Sequence, residues 1–211
     1  VDVDKARASR VLRDRGFPKR ATEQLEFGLV SFTADQNRGA NALWHKARAG
    51  QSSLVYGERG VGKTIVATRV AHRVADLRHH GALEAMQRLA GGTHPIYFRA
   101  RDLFADQGKW IQASREHRET TTEEPLARAA SACLLVIDEI GELRYTDYQS
   151  SELSSLVDLR YSNEKPTILI GNQTPDELRR IGVSANIIDR CRDGGVYHTK
   201  GWRTWRGTKA K

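Results

Sequence analysis

The sequence has almost no sulfur: two cysteines and one methionine among 211 residues. Cys133 and Cys191 stand far apart, and neither belongs to a CxxC or Cys/His cluster, so a disulfide framework or a zinc site has little to build on. A reducing cytoplasm is the expected setting. Long apolar runs are missing as well. The longest, Ala132 to Ile137, falls far short of the roughly 20 residues a membrane-spanning helix needs, and the mean hydropathy is −0.58. No membrane contact is expected. No apolar signal core follows Val1-Asp2-Val3-Asp4-Lys5, which argues against a secretory leader, and a chain starting without Met reads as a piece of a longer one. Internal repeats are absent, and the only biased tract is Thr120 to Pro125. What is present is an apolar share of 39%, enough in a chain of this length to bury a core and to exclude extensive disorder.

Acidic residues are outnumbered, 26 against 34 basic, and the net charge is +8. From Arg190 to Lys211 there are seven basic residues against the single Asp193. An anionic partner such as nucleic acid or nucleotide phosphate would suit this bias; solubility alone would also account for it.

Apolar runs recur at wide intervals: Ser53 to Tyr56, Pro95 to Phe98, Cys133 to Ile137, Thr167 to Ile170 and a weaker Gly195 to His198. The middle ones do not alternate with polar residues, as suits strands covered on both faces. Helical patterns lie between them, over Gly62 to Arg78 and Ser150 to Leu159, each with an apolar stripe that reads as core. The expected fold is therefore α/β, a five-stranded parallel sheet flanked by helices. Pro125 suits the first turn of a further helix. Segments near Pro175 to Ile181 and Ser184 to Cys191 are helical candidates for a minor lid, with little or no separate lid domain expected. Residues 1–23, basic and interrupted by Gly16 and Pro18, read as a lead-in segment rather than a domain of their own.

Gly57-Glu58-Arg59-Gly60-Val61-Gly62-Lys63-Thr64 satisfies the pattern GxxxxGK[ST] directly after a strand and at the opening of a helix. Glycines let backbone N–H groups turn inward around phosphate, and the helix N-terminus favours negative charge. Lys63 can then reach the β- and γ-phosphates of ATP, while the Thr64 hydroxyl can ligate Mg²⁺. A second signal is Leu134 to Glu139, a buried strand delivering two carboxylates at its C-terminal end, where ligands of open parallel sheets bind. Asp138 would hold Mg²⁺ and Glu139 would polarise the water attacking the γ-phosphate.

With these motifs in place the sequence resembles the AAA+ P-loop ATPases, and within them the DnaC-like helicase loaders and the related IstB-like transposition helpers. The resemblance covers residues 24–206 and leaves 207–211 as a basic tail. It rests on Leu134 to Gly141, on Leu159-Arg160-Tyr161 followed by Lys165-Pro166-Thr167-Ile168, on Gly171 to Thr174 with Glu177-Leu178, and on Ile187 to Arg192. The resemblance implies that Asn172 is the sensor-1 residue orienting the attacking water. It further implies that Arg190 is an arginine finger reaching a neighbouring subunit's nucleotide, and that Arg206 is the sensor-2 arginine. Two positions depart from the family: Gly171 replaces the usual Ser or Thr, and Asn186 stands where loaders often carry another arginine.

The family is also similar in placing a helical insertion between its second and third strands to face single-stranded DNA. Here that region holds Lys109, Trp110 and Arg115, with His117 and Arg118, a set suited to base stacking and phosphate contact. Trp110 would serve equally as a core residue. The implied activity is ATP hydrolysis by self-associated subunits with nucleotide at their interfaces, assembled on single-stranded DNA to help load a replicative helicase. The alternatives are an IstB-like helper that engages duplex DNA and a transposase, and an ATP-gated DNA-binding module whose hydrolysis is incidental. About fifty residues precede the phosphate loop, so the N-terminal helicase-binding module of the loaders is expected to be missing here.

Overall fold

A computed structural model describes residues 3–79, 93–116 and 123–202. Helices α1 (Val3–Asp14), α2 (Lys19–Glu26) and α3 (Ala34–Arg48) precede strand β1 (Ser53–Tyr56) and helix α4 (Lys63–His79). There follow β2 (Ile96–Arg99), α5 (Ala100–Arg115), α6 (Pro125–Ser131) and β3 (Leu135–Asp138). The described chain closes with α7 (Asp147–Ser162), β4 (Thr167–Gly171), α8 (Pro175–Arg180), α9 (Ala185–Gly194) and β5 (Val196–His198). All five expected strands are present and form one parallel sheet in the order β2-β3-β4-β1-β5.

Non-alternating strands have a simple cause here: both faces of the sheet are covered. Leu54, Ile96, Leu135, Ile137 and Leu169 point to one side, where Leu103, Leu153, Val157 and Ile187 meet them. Val55, Val136, Ile168 and Ile170 point to the other, against Leu43, Val66, Val70 and Leu12. Successive residues of a strand face opposite ways, so a strand buried on both sides must be apolar throughout.

Three helices begin with reciprocal capping boxes, Thr33 with Gln36, Thr146 with Gln149 and Thr174 with Glu177. Pro125 occupies the first turn of α6, as expected. The segments expected as a minor lid are α8 and α9, and they belong to the core instead: Leu178, Ile187, Ile188 and Cys191 are buried under the sheet. Their apolar stripes had no other surface to cover. Likewise Trp202, in the basic C-terminal stretch, packs its ring against Gly39 of α3, where a side chain would collide with it.

The N-terminal helices also join the core. Leu12 and Phe17 are buried beside α4, and the α1–α2 turn closes over the outer strand β2, where Tyr97 N–H donates to Arg15 O at 3.0 Å. Such a cover removes an open sheet edge. Helix α2 runs across residue 23, so the basic lead-in continues without a break into the next segment.

Candidate nucleotide site

The turn from β1 to α4 carries the phosphate loop. Gly57, Gly60 and Gly62 take φ values of 134, 82 and 90°, a left-handed backbone that side chains other than glycine resist. Glu58 and Arg59 project outward, whereas Val61 is buried and its carbonyl accepts from Gln36 Nε2 at 2.9 Å. That bond fastens the loop to α3. Lys63 opens α4 and folds back over the loop, donating to Gly57 O at 2.7 Å, Glu58 O at 2.6 Å and Asn172 Oδ1 at 2.9 Å.

On the far side of β4, strand β3 delivers Asp138 and Glu139. Asp138 is inside the ladder, opposite Arg99, and is 6% exposed. Its Oδ2 accepts from Thr64 Oγ1 at 2.6 Å and from Tyr97 OH at 3.0 Å, while Oδ1 accepts from Glu139 N–H at 2.7 Å. A hydroxyl and a carboxylate brought this close supply the hard oxygen donors that Mg²⁺ takes, so the residues present fit that ion. Glu139 follows with φ 58° and an exposed side chain at the cleft. A carboxylate so placed is open to water.

Asn172 stands at the end of β4, between the two motif-bearing strands. Its Oδ1 faces Lys63, its Nδ2 donates to Glu142 Oε1 at 3.0 Å, and its backbone N–H donates to Gln173 Oε1 at 3.0 Å. Glu142 also accepts from Arg59 at 2.6 Å, and that hydrogen bond holds its carboxyl below the usual glutamate range. At Gly171 a Cβ would lie 3.3 Å from Ile140 Cγ1, so Ser or Thr there requires the Ile140 side chain to give by a few tenths of an ångström. Together these residues line a cleft of about 870 Å³, whose walls also include Arg20 and Gln24 of α2, Arg99 at the end of β2 and Arg101 of α5.

The remaining expected residues lie elsewhere. Arg190, exposed on α9, pairs with Asp158 at 2.9 Å and stacks over Tyr161 at 4.6 Å. It does not line its own chain's cleft. Lys109 and Arg115 are exposed on α5, and Trp110 is half-buried with its Nε1 lacking a hydrogen-bond partner among the described residues. Six positions apart on one helix, Lys109 and Arg115 point about 120° from each other. Arg206 lies outside the described residues, as do His117 and Arg118.

Three contributors had escaped notice in the sequence. Gln36 carried a signal in its capping-box spacing from Thr33. Glu142 lies just past the acidic strand end, and Tyr97 is indistinguishable from a core strand residue.

The chain matches the AAA domain family over residues 47–181, more than half its length. It is 29% identical over 150 residues to a Mycobacterium tuberculosis protein described as ATP-binding in an insertion sequence, covering 67% of this chain and 50% of that one. It is 30% identical over 88 residues to the replicative helicase loader DnaC of Escherichia coli, covering 41% of this chain and 36% of that one. The chain thus spans half or less of the length of these curated relatives. Among solved structures, the DnaC helicase loader matches with a TM-score of 0.55 at 22% identity, over 79% of this chain and 90% of that one. The replication initiator DnaA bound to AMPPCP and single-stranded DNA matches with a TM-score of 0.60 at 20% identity, over 80% and 47%. At such identities the likeness is one of fold. A glycine-rich loop after one strand and an acidic end on another, separated by the strand that leads into Asn172, agree with the matched family: the chain belongs to the AAA domain family.

Proposed function

We propose that this chain hydrolyses ATP as a DnaC-like helicase loader, assembling copy to copy on single-stranded DNA with nucleotide at each interface. The observation that carries the reading is the convergence of Lys63, Thr64, Asp138 and Asn172 on one cleft, with Glu139 open at its rim. The loop N–H groups and Lys63 bind and orient the triphosphate. Thr64 and Asp138 would hold Mg²⁺, which would supply neutralisation of the triphosphate charge. Glu139 accepts a proton from the attacking water, and Asn172 orients that water. Arg190, turned away from its own cleft, is available to a neighbour's γ-phosphate, where a planar cation stabilises developing charge. Arg206 is proposed to close over the γ-phosphate of the nucleotide held by its own chain. DNA contact is assigned to Lys109, Trp110 and Arg115, whose divergent directions on α5 suit a track that only neighbouring copies complete.

Hydrolysis should therefore depend on association. Activity per subunit should rise with concentration, and Lys63→Ala should abolish ATP binding in calorimetry. Arg190→Ala should lower turnover by about 10³-fold or more while leaving ATP affinity near wild type. Mixing Arg190→Ala with Glu139→Gln subunits should restore part of the activity, at interfaces where the latter lends its Arg190. A mixture that stays inactive, with specific activity independent of dilution, contradicts the shared site.

One observation favours the alternative partner: the insertion-sequence relative matches a longer stretch of this chain than DnaC does. In that reading the same ATPase assembles on duplex DNA and engages a transposase. ATP-dependent binding that is tighter to duplex than to single strands would select it.

A further inference from the structure

Nucleotide-binding motifs account for one of the two donors on Asp138 Oδ2, the Thr64 hydroxyl. The other, Tyr97 OH, belongs to none of them. Tyr97 sits in the middle of β2, 7% exposed, one strand away from Asp138. Its phenol, with the bonds from Thr64 and Glu139 N–H, leaves the carboxylate little freedom to rotate about its Cβ–Cγ bond.

Tyr97 is itself held from behind. Its N–H donates to Arg15 O at 3.0 Å, and its ring packs 5.5 Å from that of Phe17, tilted by 45°. Between these contacts Gly16, at φ 89°, presses against the Tyr97 carbonyl so closely that a Cβ would come within 2.5 Å of the oxygen. The α1–α2 turn therefore grips Tyr97 by its backbone and by its ring, while the far end of the same side chain meets Asp138. Helix α2 continues from that turn into the wall of the cleft.

We propose that Tyr97 is a positioning residue for the Asp138 carboxylate, and that the turn from Arg15 to Phe17 acts through it, making the N-terminal helix pair part of the divalent-cation site. This rests on the reading of Asp138 as a Mg²⁺ ligand. Hydrogen bonds that orient a ligating group typically govern about 10- to 100-fold in metal affinity or activity. A carboxylate free to turn must be ordered when the cation binds; one already held by Tyr97 need not be.

Tyr97→Phe is the decisive variant because it keeps the ring, and hence the Phe17 contact, and removes only the hydroxyl. The reading is the Mg²⁺ concentration that half-saturates binding of a fluorescent ATP analogue, together with the analogue's affinity in EDTA and the melting temperature. The half-saturating Mg²⁺ should rise about 10-fold, with affinity in EDTA unchanged. Phe17→Leu, which loosens the turn, should move the Mg²⁺ requirement in the same direction, and the Tyr97→Phe/Phe17→Leu pair should move it no further than Tyr97→Phe alone. A lower melting temperature with an unchanged Mg²⁺ requirement in Tyr97→Phe overturns the proposal, and full additivity in the pair overturns the role of the turn. Asp138→Asn separates the two levels. If it raises the Mg²⁺ requirement and Tyr97→Phe does not, the inference about Tyr97 fails alone; if it raises nothing, the metal reading fails and this inference with it.

Discussion

Arg160 is the largest fully buried side chain among the described residues, and removing it should be among the most destabilising single changes the chain can undergo. Its guanidinium donates five hydrogen bonds: Nε to Thr167 Oγ1 at 2.9 Å, and its terminal nitrogens to the carbonyls of Ala129 (2.9 Å), Ala130 (3.1 Å), Ala132 (2.8 Å) and Pro166 (2.7 Å). One side chain on α7 thus ties the end of α6 to the starts of β3 and β4. Burial pushes the group down to about 9, still high enough to keep its charge at neutral pH. In Arg160→Met the Pro166 carbonyl retains Leu135 N–H at 3.2 Å and that of Ala130 a distant Lys165 ammonium at 3.4 Å. The Thr167 hydroxyl, which can rotate, loses only an incoming donor, whereas the carbonyls of Ala129 and Ala132 are left dry. At about 1–3 kcal/mol for each orphaned buried acceptor, the loss comes to about 2–6 kcal/mol. That is a large part of the 5–15 kcal/mol that typically holds a domain together, and at about 2–4 °C per kcal/mol it lowers the melting temperature by roughly 10 °C. Arg160→Lys, with three donors on a narrower head, should fall between wild type and Arg160→Met. Urea unfolding followed by circular dichroism gives both numbers. A loss below about 1 kcal/mol for Arg160→Met, with an unchanged slope against urea, would refute the reasoning.

Two further outcomes follow from contacts around the cleft. Gln36→Ala removes the bond to the Val61 carbonyl and should weaken ATP binding while costing about 1–3 kcal/mol of stability, checked by calorimetry and urea unfolding; equal ATP affinity would mean that the loop holds its shape without α3. The Glu142 carboxyl is held low chiefly by Arg59, so its contribution to stability is present above the ordinary glutamate pKa and is lost as pH falls through the lowered folded value. Urea midpoints of wild type and Glu142→Gln should converge below about pH 4, and curves that stay parallel from neutral pH into that range contradict the tether.

The parts of this protein that its sequence discloses are those set by neighbours along the chain. A strand covered on both faces has to be apolar throughout, so Leu134 to Ile137 and Thr167 to Ile170 announce themselves, and a phosphate loop must put its glycines at fixed spacings around Lys63. What stays hidden depends on contacts made across long stretches of sequence. Arg160 looks like any surface cation until α6, β3 and β4 turn their free carbonyls toward it. Tyr97 looks like any strand residue until Asp138 arrives beside it. The basic character of residues 1–23 likewise concealed Leu12 and Phe17, two positions that help fasten α1 and the turn after it to the sheet.

Glu139 occupies a backbone conformation, φ 58°, in which a side chain costs about 1–2 kcal/mol and glycine costs little. With Glu139 as the base of the proposed hydrolysis, stability and turnover pull this position in opposite directions. A library of variants selected only for resistance to heat should drift toward glycine at residue 139, and its most robust members would hold nucleotide without consuming it. Under the proposed role of Glu139, any attempt to harden this chain by directed evolution has to score ATP turnover in every round, because at this residue the more durable protein is the idle one.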